Sequence, residues 1–247
     1  MMKKVYVSMF VLVMLTTLSM AQSKSSFGIF GGLNIPRLSG GNGNELSRDY
    51  TSRSGVAFGI TSSLYLGSNI SLRIDVMYSS EGGKRDGLQA FDASSYSPLI
   101  PAGTYFYADY KNESILNYAE IPVMVKYSFP LNKFSKFYVN IGPYVGLLLN
   151  AKQVTSGSSI IYADRTQQIV LVSQPQSFDA TTDITSDINK INIGLTGGIG
   201  LSQKLSSGEI FVDVRGAYGL KVIQKDSQNG SSHNGNLLID LGYAFEF

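Results

Sequence analysis

The stretch Ile70-Ser71-Leu72-Arg73-Ile74-Asp75-Val76-Met77-Tyr78 decides the fold. Ile70, Leu72, Ile74, Val76 and Tyr78 fall on one face, and Ser71, Arg73, Asp75 and Met77 on the other. A period of two is that of a β-strand, whose successive side chains point to opposite faces. The same pattern sets Ile210, Val212, Val214, Tyr218, Leu220 and Val222 against Asp213, Arg215 and Lys221. It sets Ala119, Ile121, Val123, Val125 and Tyr127 against Glu120, Pro122, Met124 and Lys126. Near the end of the chain, Ile239, Leu241, Tyr243, Phe245 and Phe247 alternate with Asp240, Gly242, Ala244 and Glu246. Similar alternation runs through 27–35, 56–66, 137–149 and 191–201, so eight strands are expected. Each reaches the roughly 9–11 residues that a tilted membrane strand needs.

Composition narrows the class. The 247 residues include no cysteine and one histidine, His233, which excludes disulfides, thiolate zinc sites and multi-histidine metal centres. Charged residues are 15%, well under the level of about 25% usual in soluble domains. With 43% hydrophobic residues and a mean hydropathy of +0.05, the chain is too apolar to be disordered. Lys+Arg of 20 against Asp+Glu of 18 gives +2, so there is no basic field for nucleic acid.

Residues 1–21 read as a secretory signal peptide. Lys3 and Lys4 form its charged region, Val5 to Leu18 its apolar region, and Ser19-Met20-Ala21 its cleavage site. The mature domain is then 22–247, and Gln22 rather than cysteine after the cut excludes a lipid anchor there. No later segment has 18 consecutive apolar residues, so any membrane crossing is by strands.

The connections sort by length. Those at Gly67-Ser68-Asn69, Pro130-Leu131-Asn132-Lys133 and Ser206-Ser207-Gly208 are short; those at 36–53, 81–112, 150–187 and 223–234 are long. In an up-and-down meander this puts all short turns at one end, the asymmetry of an outer-membrane barrel with periplasmic turns and extracellular loops. The non-apolar face carries small residues with an occasional large one: Asn192, Gly194, Thr196, Gly198, Gly200 and Ser202 on one strand, Tyr138, Asn140, Gly142, Tyr144 and Gly146 on another. That suits a narrow interior better than a hydrated exterior, and argues against an inside-out soluble barrel. Aromatic residues form two belts on the apolar face. Phe27, Tyr127, Phe129, Phe137, Phe245 and Phe247 lie at the periplasmic end, and Phe58, Tyr78 and Tyr218 near the other. No open strand edge can face hydrocarbon, so the last strand must pair with the first, near Phe27. The expected fold is all-β: an eight-stranded antiparallel up-and-down transmembrane β-barrel, apolar toward lipid, with a filled polar lumen.

Tyr118-Ala-Glu-Ile-Pro-Val-Met-Val-Lys-Tyr127, Tyr138-Val-Asn-Ile-Gly-Pro-Tyr-Val-Gly146, Gly194-Leu-Thr-Gly-Gly-Ile-Gly-Leu201, Val214-Arg-Gly-Ala-Tyr-Gly-Leu220 and Leu241-Gly-Tyr-Ala-Phe-Glu-Phe247 together resemble the PorT-like outer-membrane β-barrel family common in Bacteroidetes. The resemblance covers nearly the whole mature chain. It implies an eight-stranded barrel in the outer membrane and little about activity, although the founding member is linked to protein secretion. Tyr243, Phe245 and Phe247 resemble the aromatic end read by the barrel-assembly machinery.

Mid-strand charges of both signs, Arg73, Asp75, Glu120, Asp213, Arg215 and Asp240, are expected to neutralise one another as a lumen network rather than serve acid–base chemistry. The run Gly194–Gly200 lacks the helix that a phosphate loop requires. His233, with Ser231, Ser232 and Asp226 nearby, is the best candidate for catalysis, in a loop between the last two strands with nothing to fix a triad. Asp179, Asp183 and Asp187 are candidate hard-cation ligands without calcium-loop spacing. No catalytic, cofactor or metal site is expected. The candidate contact residues are Tyr96, Tyr105, Phe106, Tyr107 and Tyr110 in the 81–112 loop. Gln168-Ile-Val-Leu-Val172 is expected to extend a hairpin above the membrane and offer an edge. The leading function is a monomeric, non-enzymatic cell-surface barrel presenting four loops in a structural, secretion or adhesion role. The alternatives are a narrow solute channel and a membrane-embedded lipid- or protein-modifying enzyme. Expected partners are outer-membrane lipid, the barrel-assembly machinery and a surface or periplasmic protein that the sequence does not name.

Overall fold

A computed structural model describes residues 25–95, 99–101 and 103–246. Eight strands close into a ring: β1 (Ser25–Ser39), β2 (Gly55–Tyr65), β3 (Ile70–Asp92), β4 (Tyr105–Pro130), β5 (Ser135–Ser156), β9 (Ile191–Lys204), β10 (Glu209–Gly219) and β11 (His233–Glu246), each antiparallel to the next. Three shorter strands, β6 (Ser158–Tyr162), β7 (Val170–Ser177) and β8 (Ala180–Asp183), belong to the extracellular part. The ring closes where expected: β1 pairs with β11, Phe27 opposite Phe245 and Leu33 opposite Ile239. The candidate signal peptide 1–21 lies outside the described residues, as do Tyr96 and Phe247.

The period of two sorts the side chains as the sequence predicts. Ile29, Val76, Val123, Ile141, Ile199, Val214 and Leu241 face outward and are exposed, whereas Arg73, Asp75, Glu120, Asp213, Arg215 and Asp240 face inward and are buried. Exposed isoleucine and valine on every strand would be untenable in water; in hydrocarbon they are the solvated side. The belts also form. Phe58 stacks on Tyr78 at 5.1 Å near the extracellular boundary. At the other end Phe129 lies 4.7 Å from Tyr127 and 5.9 Å from Phe137, and Tyr243 packs against Phe245 at 4.9 Å.

One expectation is corrected. The segment 81–112 is not a loop: β3 runs for 23 residues and β4 for 26, more than twice the roughly 9–11 that cross the membrane. Glu81 to Asp92 pairs continuously with Tyr105 to Leu116, so both stretches satisfy their backbone groups in an antiparallel arm above the bilayer. The apolar alternation stops there because the arm no longer has a lipid face, and the sequence reading ended the strands with it. The arm is widened by β5 and β6, which join at Gly157, whose φ of +120° lies in the left-handed region that favours glycine. The 168–172 expectation holds from Val170 on: Val170–Ser177 is a strand paired with β6 at the end of the sheet, with Val170 and Leu171 exposed, while Gln168 and Ile169 precede it.

Candidate functional site

The lumen is built from the inward faces of opposite walls. Around the ring, β3 and β10 are four strands apart in either direction, so they face one another across the bore. Arg73 and Asp75 on β3 therefore meet Asp213 and Arg215 on β10. Arg73 Nη1 donates to Asp213 Oδ2 at 2.5 Å and Arg73 Nε to Asp75 Oδ1 at 2.9 Å. Arg215 Nη1 donates to Asp75 Oδ2 at 2.7 Å and Arg215 Nη2 to Asp240 Oδ2 at 2.9 Å. Asp213 and Asp240 are directly opposite in the β10–β11 register, a like-charge pair that the two guanidiniums offset. Asp75 and Asp213 are 0% exposed and Arg73 2%, so the ion pairs are shut off from bulk solvent.

Aromatic rings complete the layer. The Arg73 guanidinium lies 5.8 Å from the Phe30 ring and 5.1 Å from that of Phe211, and Arg215 lies 5.2 Å from Phe30. Glycines make the room. A Cβ at Gly200 would collide with the Tyr138 ring and the Asp213 carboxylate, and one at Gly198 with Arg215. The small residues on β9 are thus the complement of the large ones across from them, which is how eight strands fill their interior.

Five of the six predicted lumen charges form this cluster. The sixth, Glu120, is buried in the same lumen but shares none of its ion pairs; it lines a cavity of about 20 Å³ with Tyr144, Thr196, Arg215 and Asn236, room for about one water. The sequence reading missed two further layers. Below, Lys126 on β4 sits 3.8 Å from Glu209 and 3.7 Å from the Tyr138 ring centroid. Above, Glu81 accepts from Asn34 Nδ2 at 2.9 Å, Asn236 Nδ2 at 2.6 Å and the Ser79 hydroxyl at 2.5 Å. The signal for Lys126 was its place on the inward face; Glu81 was hidden by being assigned to a loop.

Of the predicted contact residues, Tyr105, Phe106, Tyr107 and Tyr110 sit on β4 of the arm, and Tyr96 lies outside the described residues. Tyr110 is buried, with its ring stacked on Phe178 at 4.5 Å. Tyr105, Phe106 and Tyr107 are half-buried, Phe106 edge-on to Phe91 at 6.1 Å and Tyr107 paired with Tyr162. They serve first to hold the arm together. Tyr243 and Phe245 lie on the closing strand, with Phe245 exposed.

His233 opens β11 rather than lying in a loop. Its Nδ1 donates to the Gly219 carbonyl at 3.0 Å and its ring stacks on Tyr218, while the Asp226 carboxylate accepts from the Gln228 N–H at 2.9 Å. The acid is thus engaged in its own turn and does not orient the imidazole. Asp179 and Asp183 are likewise taken up locally, accepting from Gly157 N–H and Thr185 N–H, bonds that hold both carboxyls below the usual carboxylate range. Among the described residues no group of three or more His, Asp or Glu is placed to hold a metal ion.

A closed strand ring, an apolar girdle between aromatic belts and a buried polar interior define a transmembrane β-barrel of the outer membrane. The chain belongs to the family described as outer membrane protein beta-barrel domain, whose model matches residues 20–224. Solved structures similar to it include the attachment invasion locus protein Ail of Yersinia pestis, at 15% identity and a TM-score of 0.37, covering 90% of this chain and 99% of that one. Neisserial surface protein A aligns at 14% identity and a TM-score of 0.40, over 90% and 97% of the two chains. OprG from Pseudomonas aeruginosa aligns at 9% identity and a TM-score of 0.39, over 91% and 97%. No curated protein matches the sequence.

Proposed function

We propose that this protein is a non-enzymatic, non-conducting outer-membrane barrel whose extracellular arm is a contact surface for a protein at the cell surface, in a secretion or adhesion role. The observation that carries the reading is the pair of salt bridges, Arg73–Asp213 and Arg215–Asp75, laid across the bore from opposite walls. A steady current needs a continuous aqueous path, and desolvated ion pairs packed between Phe30 and Phe211 leave none at that level. The binding energy of such a protein then lies in its arm, where the outer edge of β7 is unpaired among the described residues and Val170 and Leu171, with Ile169 just before the strand, are exposed.

Within this proposal residues 1–21 direct export and are removed, 22–247 form the barrel, and the aromatic face of Tyr243, Phe245 and Phe247 is read by the barrel-assembly machinery. The deciding measurement is single-channel current in a planar bilayer. The expected result is no steady conductance above the bare membrane. A reproducible open level would overturn the reading in favour of a narrow solute channel. Replacing His233 with Ala is expected to leave the cellular phenotype unchanged.

A further inference from the structure

Above the filled lumen, the arm and the neighbouring connections line a half-open cavity of about 620 Å³, within the range of about 300–1,000 Å³ typical of small-molecule sites. Its floor is apolar. Leu38, Leu116, Ile188 and Ile223 come from β1, β4 and the segments flanking β9 and β10, and they form one buried cluster. Its wall is aromatic. Phe178 stacks face to face on Tyr110 and meets Phe91 at 5.7 Å, and Tyr50 lines the same cavity.

One charge is built into that wall. Arg85, on the β3 half of the arm, is only 7% exposed. Its guanidinium lies 4.7 Å from the Tyr50 ring centroid. Its Nε is buried with no hydrogen-bond partner among the described residues, and its Nη1 makes only a 3.5 Å contact to the Arg48 carbonyl. No carboxylate lies within 4 Å of it among the described residues, unlike Arg53, which has Glu113 at 2.7 Å. A buried guanidinium with idle donors is costly unless something anionic meets it. The acids that share the cavity are elsewhere: Asp179 and Asp187 are exposed at the rim, where Asp179 already accepts from Gly157 and Ser177, and Asp92 is half-buried beside Phe91. They raise the cost of bringing in more than one negative charge.

From the idle Arg85 donors in an aromatic-walled, apolar-floored cavity, we infer that the extracellular mouth of this barrel is a binding site for a small amphipathic monoanion. Its carboxylate sits against Arg85, and its aromatic or branched apolar body fills the space between Tyr50, Tyr110 and Phe178. The planar guanidinium suits a two-oxygen head group, and the rings suit a flat hydrocarbon body. The inference does not depend on whether the lumen below conducts.

The test uses the full mature barrel in lipid nanodiscs, titrated with 2-naphthoate by isothermal calorimetry and ligand-observed NMR, with empty nanodiscs subtracted. 2-Naphthalenemethanol serves as the neutral analogue and naphthalene-2,6-dicarboxylate as the dianion. Saturable one-to-one binding of 2-naphthoate, tighter than either analogue by about 10-fold or more, is expected. Arg85→Gln should weaken 2-naphthoate by about the same factor and leave the neutral analogue unchanged. Ala90→Trp, which fills the cavity from its wall, should abolish binding of both while the heat-dependent gel mobility of the folded barrel is retained. Failure of the wild type to bind up to millimolar 2-naphthoate would overturn the site. So would undiminished binding by folded Ala90→Trp. Equal affinity of wild type and Arg85→Gln would overturn the role of the charge.

Discussion

Replacing Arg73 with Met is the most direct probe of the lumen. The cluster holds two guanidiniums, Arg73 and Arg215, and three carboxylates, Asp75, Asp213 and Asp240, for a net charge of 2 − 3 = −1. Without Arg73 it becomes 1 − 3 = −2. Asp75 and Asp240 keep Arg215, but Asp213 loses its one salt bridge and stands opposite Asp240 at 0% exposure. Breaking a buried pair by removing one partner costs about 3–5 kcal/mol, because the remaining charge stays desolvated. With a urea slope of about 2 kcal/mol/M, the unfolding midpoint should fall by about 1.5–2.5 M. The chain has no tryptophan, so unfolding from lipid vesicles is followed by far-UV circular dichroism and by the gel mobility of the folded form. Asp213→Asn alone leaves Arg73 its bond to Asp75 and should cost less, about 1–3 kcal/mol. The double variant Arg73→Met/Asp213→Asn should be more stable than Arg73→Met, since no orphaned carboxylate remains. A midpoint for Arg73→Met within 0.3 M of wild type (roughly 0.6 kcal/mol at that slope) would refute the reasoning, as would a double variant no better than the single.

Val214→Lys places an ammonium on the lipid face, where Val214 is 38% exposed; about 2–4 kcal/mol is lost near the midplane, and folding yield into vesicles should drop well below that of Ala217→Lys, whose side chain enters the lumen near Glu120. Equal yields would contradict the assignment of faces. Gly200→Leu should abolish or severely slow assembly, because its side chain must displace Tyr138 and Asp213; a normal yield would show that the lumen has slack. The Asp164 carboxylate accepts from the Thr166 hydroxyl and from the N–H groups of Ile169, Gln168 and Thr166, which hold it below the usual range. A lowered folded pKa means the turn's stabilisation is present above the ordinary aspartate value of about 3.9 and lost as pH falls through the folded one. Hydrogen-exchange protection of the Ile169 amide should therefore hold from pH 8 to 5 and fall below about pH 4, and Asp164→Ala should remove that transition.

Some of the site was legible and some was not, for reasons that particular residues show. Arg73 and Asp213 each announced an inward face through their apolar neighbours on the same strand. That they touch is another matter: they are 140 positions apart, and only a ring with β3 opposite β10 brings them together. Tyr110 read as a free loop aromatic because nothing near it in sequence reveals Phe178, 68 positions on, lying flat against it. Glu81 and Arg85 read as loop charges because the lipid-facing alternation that marks a strand ends where the membrane does.

The chain by itself determined the strand period, the face given to lipid, the two aromatic belts and the pairing of the last strand with the first. Each is set by local side-chain alternation or by the demand that no backbone edge meet hydrocarbon, and both act on residues close in sequence or at the chain's outer strands. Only the tertiary structure decided which charges cross the bore, that β3 and β4 continue into an arm, and that Arg85 on that arm lines a cavity with Tyr50, Tyr110 and Phe178. Those follow from register and closure, which couple distant strands through geometry that no short stretch of sequence encodes.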